Sequence, residues 1–293
     1  MIIAITGASG FLGKNIKSHF IKTGQKVVSV PRDVLYNKDK LAGLLDGVDV
    51  VIHTAGYPIT KRWTRSNKKK IFNSRAVTSH NIATAIEESN NPPGLLISTS
   101  AIGIYNNIHY HDECSEDFAD NFLGEVCKEW EAPFSKTDRT KTRVIITRLG
   151  VVIGNGGVLK NMYPIFRLGL GAKIGHGEYP MPFIHIDDLI SFYQQSTEDA
   201  SLHGIYNLVA PAIITNEEFT HALADALNKK ARFIIPPIFL NIVFGKGLMT
   251  VINNPIVIPK RLLEAGFTYQ KDQIEQAISS SLETITRNNK TKK

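Results

Sequence analysis

A doubly wound α/β fold with a parallel sheet is what three features of this 293-residue chain predict. A short apolar run, Ile2 to Thr6, ends in a glycine turn. An amphipathic segment follows it directly, and further short apolar runs then alternate with helix-length segments. Strands that recur singly between helices are joined by crossovers, which make the sheet parallel and cover both its faces.

The elements follow in order. Leu12, Ile16 and Phe20 recur at i, i+4 and i+8 until Thr23-Gly24, the pattern of an amphipathic helix with a glycine stop. Lys26 to Val30 is β-branched and bounded by Pro31, and Asp49 to Thr54 runs into Ala55-Gly56 as a second buried strand. Leu95 to Ser98 and Val144 to Thr147 repeat the pattern, with helical segments expected over Asn67 to Glu88 and Ser115 to Lys136. After Gly154-Asn155-Gly156-Gly157 the alternation loosens, and Phe183 to Ile186, Ile205 to Val209 and Phe233 to Ile235 read as short strands of a smaller α+β portion. The expected division is residues 1–153 and 154–293, the first completed by a strand or helix from within 184–209. No repeat at a fixed period argues for a solenoid or propeller.

Composition excludes several classes. With 43% hydrophobic, 21% charged and 9% aromatic residues the chain is an ordinary globular one. Its two cysteines, Cys114 and Cys127, are too few for a disulfide framework, and neither has a further Cys or His at metal-ligand spacing. A reducing, cytoplasmic setting and no metal are therefore expected. The start, Met1 to Gly7, passes from apolar residues into a turn and reads as a strand, not a secretory signal. The apolar region Phe233 to Met249 is broken by Pro236, Pro237, Asn241, Gly245 and Lys246, so no membrane span is expected. The net charge of +7 includes six basic residues between Lys61 and Lys70 and a basic tail, Asn288 to Lys293. A solvated loop and tail is the favoured reading, because no base-stacking platform or helix-turn-helix pattern accompanies the charge.

Gly7-Ala8-Ser9-Gly10-Phe11-Leu12-Gly13 places three glycines between the first strand and the first helix. The first permits a tight turn, the second lets a pyrophosphate approach the backbone, and the third lets helix and strand pack closely. The N–H groups of Gly10, Phe11 and Leu12 at the helix start then form an anion site. Together with the strand before and the helix after, this is the arrangement of a Rossmann-type dinucleotide fold. The end of the second strand reads Val30-Pro31-Arg32-Asp33. Arg32 suits a 2′-phosphate and favours NADP(H); Asp33 beside it keeps NAD(H) as the alternative.

With that turn, Asp49-Val50-Val51-Ile52-His53-Thr54-Ala55-Gly56, Ser98-Thr99-Ser100-Ala101-Ile102-Gly103-Ile104-Tyr105 and Ile184-His185-Ile186-Asp187-Asp188-Leu189, the chain resembles the extended short-chain dehydrogenase/reductases. It is most similar to their atypical NAD-dependent epimerase/dehydratase branch, the sugar-nucleotide-epimerase-like proteins with a C-terminal domain of unknown function. Lys61-Arg62-Trp63-Thr64, Asn73-Ser74-Arg75, Phe166 to Gly171, Thr215 to Phe219 and Pro259 to Phe267 extend the resemblance over most of the chain. It implies that Gly7, Ser9, Gly10, Phe11, Leu12 and Gly13 hold the cofactor, with Thr54, Ala55 and Gly56 against its phosphate and ribose. Ser74 is implied near the adenosine side, and Leu149-Gly150 beside the nicotinamide.

One departure bears on chemistry. The typical family enzyme carries Tyr-x-x-x-Lys on the helix after the fifth strand, and here those positions are Leu123 and Cys127. Tyr36 to Lys40 and Tyr57 to Lys61 also fit the spacing, but each follows an earlier strand, and Pro58 interrupts the second. Ala101 stands where the family's serine or threonine is usual, with Ser100 one residue earlier. Ser100 and Tyr105 are the candidates for proton transfer, ahead of Cys127, Lys128 and His185. The leading expectation is an NADP(H)-binding oxidoreductase or epimerase-like enzyme, its small-molecule substrate, a nucleotide sugar by resemblance, lying between the two portions near Trp63, Arg75, Arg167 and His185. The rival is a non-catalytic NADP(H) sensor or interaction scaffold, and a third reading is polyanion binding through Lys61 to Lys70.

Overall fold

The computed structural model describes residues 1–135, 137, 140–238 and 252–290, with side chains as far as 287. The last residue of the expected Ser115 to Lys136 helix, the apolar region from residue 239 to Met249, and the tail's side chains lie outside the described residues.

The first strands and helices are β1 (Ile2–Thr6), α1 (Phe11–Lys22), β2 (Lys26–Val30), α2 (Arg32–Leu35), α3 (Lys38–Leu45) and β3 (Val50–His53). Next come α4 (Arg65–Asn73), α5 (Ala76–Glu87), β4 (Leu95–Ala101), β5 (Tyr110–His111), α6 (Phe122–Ser135) and β6 (Arg143–Leu149). There follow β7 (Val151–Ile153), α7 (Gly157–Arg167), β8 (Ala172–Ile174), β9 (Phe183–His185), α8 (Ile186–Glu198) and β10 (Gly204–Leu208). The remaining elements are α9 (Asn216–Ala226), β11 (Phe233–Ile235), β12 (Ile256–Val257), α10 (Lys260–Glu264) and α11 (Ile274–Lys290).

Two compact units result. The first comprises Met1–Ile104, Phe118–Arg148 and Ile190–Tyr206; the second comprises Tyr105–Asp117, Leu149–Leu189 and Asn207–Lys293. The first is built on a six-stranded sheet in the order β10-β6-β4-β3-β1-β2. β1 pairs in parallel with β2 and β3, and β3 with β4, as the alternation predicts. Ala4, Val51, Leu96 and Val144 from the strands pack with Ile82, Ile86 and Phe134 from α5 and α6. β10 falls among the short strands after Gly157 and inside the 184–209 stretch expected to complete the first portion; it stands beside β6 at the sheet edge.

Two expected helices are shorter than their apolar patterns. The Asn67 to Glu88 segment breaks at Ser74-Arg75, where side chains compete with the helical ladder: Ser74 Oγ and Arg75 Nη1 both donate to the Ile71 carbonyl. α6 starts at Phe122, not Ser115, because Asn121 Oδ1 caps the N–H groups of Leu123 and Gly124. The second unit carries three parallel strand pairs, β5 with β12, β7 with β9 and β8 with β11. Its core joins Phe166, Phe183, Phe219, Leu223, Ile278 and Leu282. Among the described residues no helix is long and apolar enough to cross a membrane.

Candidate functional site

The three glycines of the β1–α1 turn differ in what surrounds them. Gly7 has φ +66°, and a Cβ there would lie 2.9 Å from the Ala55 backbone. At Gly13 a Cβ would meet the Gly7 carbonyl oxygen at 2.3 Å and Ala8 Cα at 2.7 Å, so helix and turn touch backbone to backbone. Gly10 is the least confined of the three: its Cβ would meet a single atom, the Gly7 oxygen, at a tight 3.2 Å. The Gly10 N–H, expected to face a ligand, donates instead to the Gly7 carbonyl at 2.9 Å and closes the turn. Phe11, Leu12 and Gly13 are the first residues of α1 and have no intrahelical acceptor for their N–H groups. No acidic residue stands in that first turn. The missing side chain at Gly10, with these donors and the positive end of the helix behind it, fits a pyrophosphate. Ser9 is exposed beside it, and Arg32 is exposed as the first residue of α2, directly after β2.

The end of β3 is organised by Thr6, which sequence reasoning did not single out. Thr54 Oγ1 donates to the Thr6 carbonyl at 2.7 Å, and the N–H groups of Thr54 and Ala55 donate to Thr6 Oγ1 at 3.1 and 3.3 Å. His53 Nδ1 lies 2.7 Å from the same Oγ1. Burial, then the charge of Arg75, lowers the His53 pKa to about 3. In the second unit burial lowers that of His185 to about 4. Both imidazoles are held neutral in the native state and charge on unfolding below the ordinary value of 6.5. The unfolded chain then binds more protons, so stability present above pH 6.5 is lost as pH falls toward the folded values. From pH 7 to pH 5 the loss should be about 2 kcal/mol for each histidine. Urea midpoints of the parent and a His53→Gln/His185→Gln variant check this; a parent midpoint unchanged over that interval would contradict it.

Leu123, Cys127 and Glu131 share the buried face of α6 at i, i+4 and i+8. Burial, then the charge of Glu131, pushes the Cys127 thiol up to about 12, which leaves it protonated and unreactive near neutrality. Glu131 is clamped by Arg148, Nε to Oε1 at 3.0 Å and Nη2 to Oε2 at 2.8 Å. Ser100 Oγ donates to Glu131 Oε1 at 2.6 Å. The candidate serine is thus oriented by a buried ion pair that motif reading missed. Its signal was present: a glutamate on an apolar helical stripe and an arginine inside a buried strand.

Ser74 accepts the Tyr57 N–H at 2.8 Å. Arg75 Nη1 donates to the Tyr57 carbonyl at 3.0 Å, and its guanidinium lies 4.8 Å from the Trp130 ring centre. Gly56 makes room for it, since a Cβ there would stand 2.9 Å from Arg75 Nη2. Trp63 is half-buried, donates its ring N–H to the Ile59 carbonyl and meets Phe122 edge-on at 5.1 Å.

In the second unit Tyr105 is buried, its hydroxyl 3.0 Å from the Asp112 carbonyl and 2.9 Å from Asn207 Oδ1. Its ring stacks on His111 at 4.9 Å. The Gly150 N–H donates to the Leu208 carbonyl, and a Cβ there would meet the Pro182 oxygen at 2.6 Å, so this strand exit tolerates only glycine. Leu149, next to it, is buried. Arg167 is exposed in the last turn of α7. Both ring nitrogens of His185 are engaged: Nδ1 accepts from the Asp187 N–H and Nε2 lies 3.2 Å from Ser281 Oγ. Lys128 is exposed, its ammonium 5.5 Å from the Phe118 ring centre in the first unit. No group of three or more potential metal ligands occurs among the described residues.

Residues 3–208, which contain the glycine turn and all of the six-stranded sheet but Ile2, match the model of the NAD dependent epimerase/dehydratase family. The chain belongs to that family. Among its relatives, the mouse epimerase family protein SDR39U1 is 32% identical over 290 residues, 95% of this chain and 98% of that protein. The crystal structure of human epimerase family protein SDR39U1 (isoform 2) with NADPH superposes with a TM-score of 0.90 at 30% identity, covering 97% of this chain and 99% of that one. UDP-N-acetylglucosamine 4-epimerase from Bacillus cereus shares the fold, with a TM-score of 0.78 at 16% identity over 97% of this chain and 99% of that one.

Proposed function

We propose that this epimerase/dehydratase-family protein binds NADP(H) on the Gly7–Gly13 turn and acts on a small molecule as an oxidoreductase or epimerase-like enzyme, by a route that does not use Tyr-x-x-x-Lys. The observation that carries the reading is the turn itself, less confined at Gly10 than at Gly13, with donors and no acid at the helix start. The human relative solved with NADPH supports the same dinucleotide.

In this reading the backbone of Gly7, Ser9, Gly10, Phe11, Leu12 and Gly13 holds the pyrophosphate, and Arg32 takes the 2′-phosphate. Thr54, Ala55, Gly56, Ser74, Leu149 and Gly150 receive the rest of the dinucleotide, while Trp63, Arg75, Arg167 and His185 serve the substrate. A nucleotide sugar is the substrate class suggested by relatives such as the UDP-N-acetylglucosamine 4-epimerase. Bound cofactor supplies hydride exchange. Ser100 holds a proton at Oγ, directed by Glu131, and Tyr105 is the second candidate for proton transfer. A non-catalytic NADP(H) sensor is the second reading, favoured by the engaged Tyr105 hydroxyl and the protonated Cys127.

NADPH should bind more tightly than NADH, and Arg32→Asp should remove the difference. A charge-assisted hydrogen bond is worth about 1.5–3 kcal/mol, roughly ten- to over a hundredfold in affinity. Calorimetric titration of both nucleotides decides it; equal dissociation constants for the parent protein would count against Arg32.

A further inference from the structure

Two helices of the second unit end in the same kind of turn, side by side. α7 stops at Gly169, φ +76°, with the Gly169 N–H on the Phe166 carbonyl and the Leu170 N–H on that of Ile165. α9 stops at Asn228, φ 54°, with the Asn228 N–H on the Asp225 carbonyl and the Lys229 N–H on that of Ala224. Both are left-handed helix stops, each closed by its pair of returning hydrogen bonds. A Cβ on Gly169 would stand 4.0 Å from Lys229 Cδ, so the two turns lie against each other. From there the chain enters β8 and β11, which pair in parallel as a two-stranded ribbon with Phe233 opposite Ala172. Both turns therefore sit at the same end of that ribbon.

This end exposes apolar side chains. Leu168 is 74% exposed, Leu170 53%, Phe233 51% and Ile234 59%. Single exposed apolar residues are ordinary, whereas a group of them on touching turns marks a contact surface. Lys229, Lys230 and Arg232 are exposed among them and make no ion pair among the described residues. The sequence has no Asp or Glu between Gly154 and Gly177, or between Ala226 and Leu263. Of the acids of α9, Glu217 is paired with Lys173 on β8, and Glu218 and Asp225 line a hollow with His221 and Glu275 to which none of these apolar or basic residues contributes. Cations just past a helix end complement its dipole, but that role does not call for a leucine and a phenylalanine beside them.

We infer that this end of the ribbon is a peripheral contact for an anionic lipid bilayer. Leu168, Leu170, Phe233 and Ile234 enter the boundary between headgroups and acyl chains, and Lys229, Lys230 and Arg232 hold lipid phosphates. Apolar side chains ringed by unpaired cations match a surface that is negative outside and apolar within. A second copy of the chain docked on the same patch would bring these cations against themselves. The contact lies on the membrane and needs no spanning helix, and the proposed chemistry does not depend on it.

The full-length protein is sedimented with vesicles of phosphatidylcholine alone, and of phosphatidylcholine with phosphatidylglycerol in equal parts, at low and at high salt. Binding should occur on the anionic vesicles only and weaken as salt rises. Each Lys or Arg at such a surface contributes about fivefold in affinity, so Lys229→Gln/Lys230→Gln should weaken binding about twenty-five-fold. Leu168→Ser/Phe233→Ser should weaken it at least about tenfold with the cations in place. Lys61→Gln/Lys69→Gln, in the basic segment of the first unit, should leave it unchanged. The inference is overturned if the parent does not bind the anionic vesicles, if binding survives either ribbon variant, or if it is lost through Lys61 and Lys69 instead. A dimer seen by light scattering that Leu168→Ser/Phe233→Ser abolishes, with vesicle binding intact, would assign the patch to a second copy and overturn it equally. Circular-dichroism melts check the folds, and should the serine variant unfold, Lys229→Gln/Lys230→Gln decides alone.

Discussion

Gly10→Val is expected to abolish dinucleotide binding in a protein that still folds, whereas Gly13→Ala is expected to cost the fold itself. At Gly10 the backbone is extended, and an added Cβ would meet only the Gly7 carbonyl oxygen, at a tight 3.2 Å that a shift of a few tenths of an ångström relieves. The space that the side chain fills is the space in front of Phe11 and Leu12, where a pyrophosphate would lie. At Gly13 the first added carbon would stand 2.3 Å from the Gly7 oxygen, in contact with backbone that has nowhere to retreat. Overpacking costs about 1–3 kcal/mol where side chains can give way, and a backbone clash lies at or above the upper end. Circular-dichroism melts and NADPH fluorescence titrations of both variants separate the effects. Retained NADPH affinity in folded Gly10→Val would show that the turn is structural only, and a Gly13→Ala protein as stable as the parent would refute the packing account.

The second large effect concerns turnover. Leu123 and Cys127 occupy the positions where typical family enzymes keep tyrosine and lysine, and both are buried on α6 beside Glu131. A missing acid or base costs about 10²- to 10⁴-fold in rate, so turnover of ordinary nucleotide sugars with NADP(H) should be low by that factor against a typical family enzyme. What remains should depend on Ser100, whose hydroxyl is aimed by Glu131, and on Tyr105. Product analysis over a panel of nucleotide sugars, including redox-neutral epimerisation, measures it. Efficient turnover unchanged by Ser100→Ala and Tyr105→Phe would place the proton-transfer groups elsewhere.

Local pattern was enough for the first half of the fold. The strand–turn–helix opening, the presence of strands at Lys26 to Val30, Asp49 to Thr54, Leu95 to Ser98 and Val144 to Thr147, and the α/β class follow from apolar periodicity and glycine placement, which act within a few residues; the third and fourth of these strands run on to Ala101 and Leu149. Partnerships over long sequence separations were less legible. β10 joins the six-stranded sheet from far along the chain; a strand or helix from within 184–209 was expected to complete the first portion, but nothing in Ile205 to Val209 itself fixes the edge that it takes. The break between α4 and α5 depends on Ser74 and Arg75 reaching the Ile71 carbonyl, a competition that a propensity reading does not see. The Ser100–Glu131–Arg148 network escaped for the same reason, because three residues that are unremarkable singly become a unit only in the folded sheet. Gly10 shows the reverse: its glycine was legible, but the engagement of its N–H by Gly7 was not.

Native mass spectrometry of the parent protein mixed with equimolar NADPH and NADH tests the central claim most directly. The account predicts a single added mass of one dinucleotide, NADPH displacing NADH, and its disappearance in Gly10→Val. A spectrum showing only the bare chain at micromolar concentrations of both nucleotides, or NADPH retained by Gly10→Val, would contradict it.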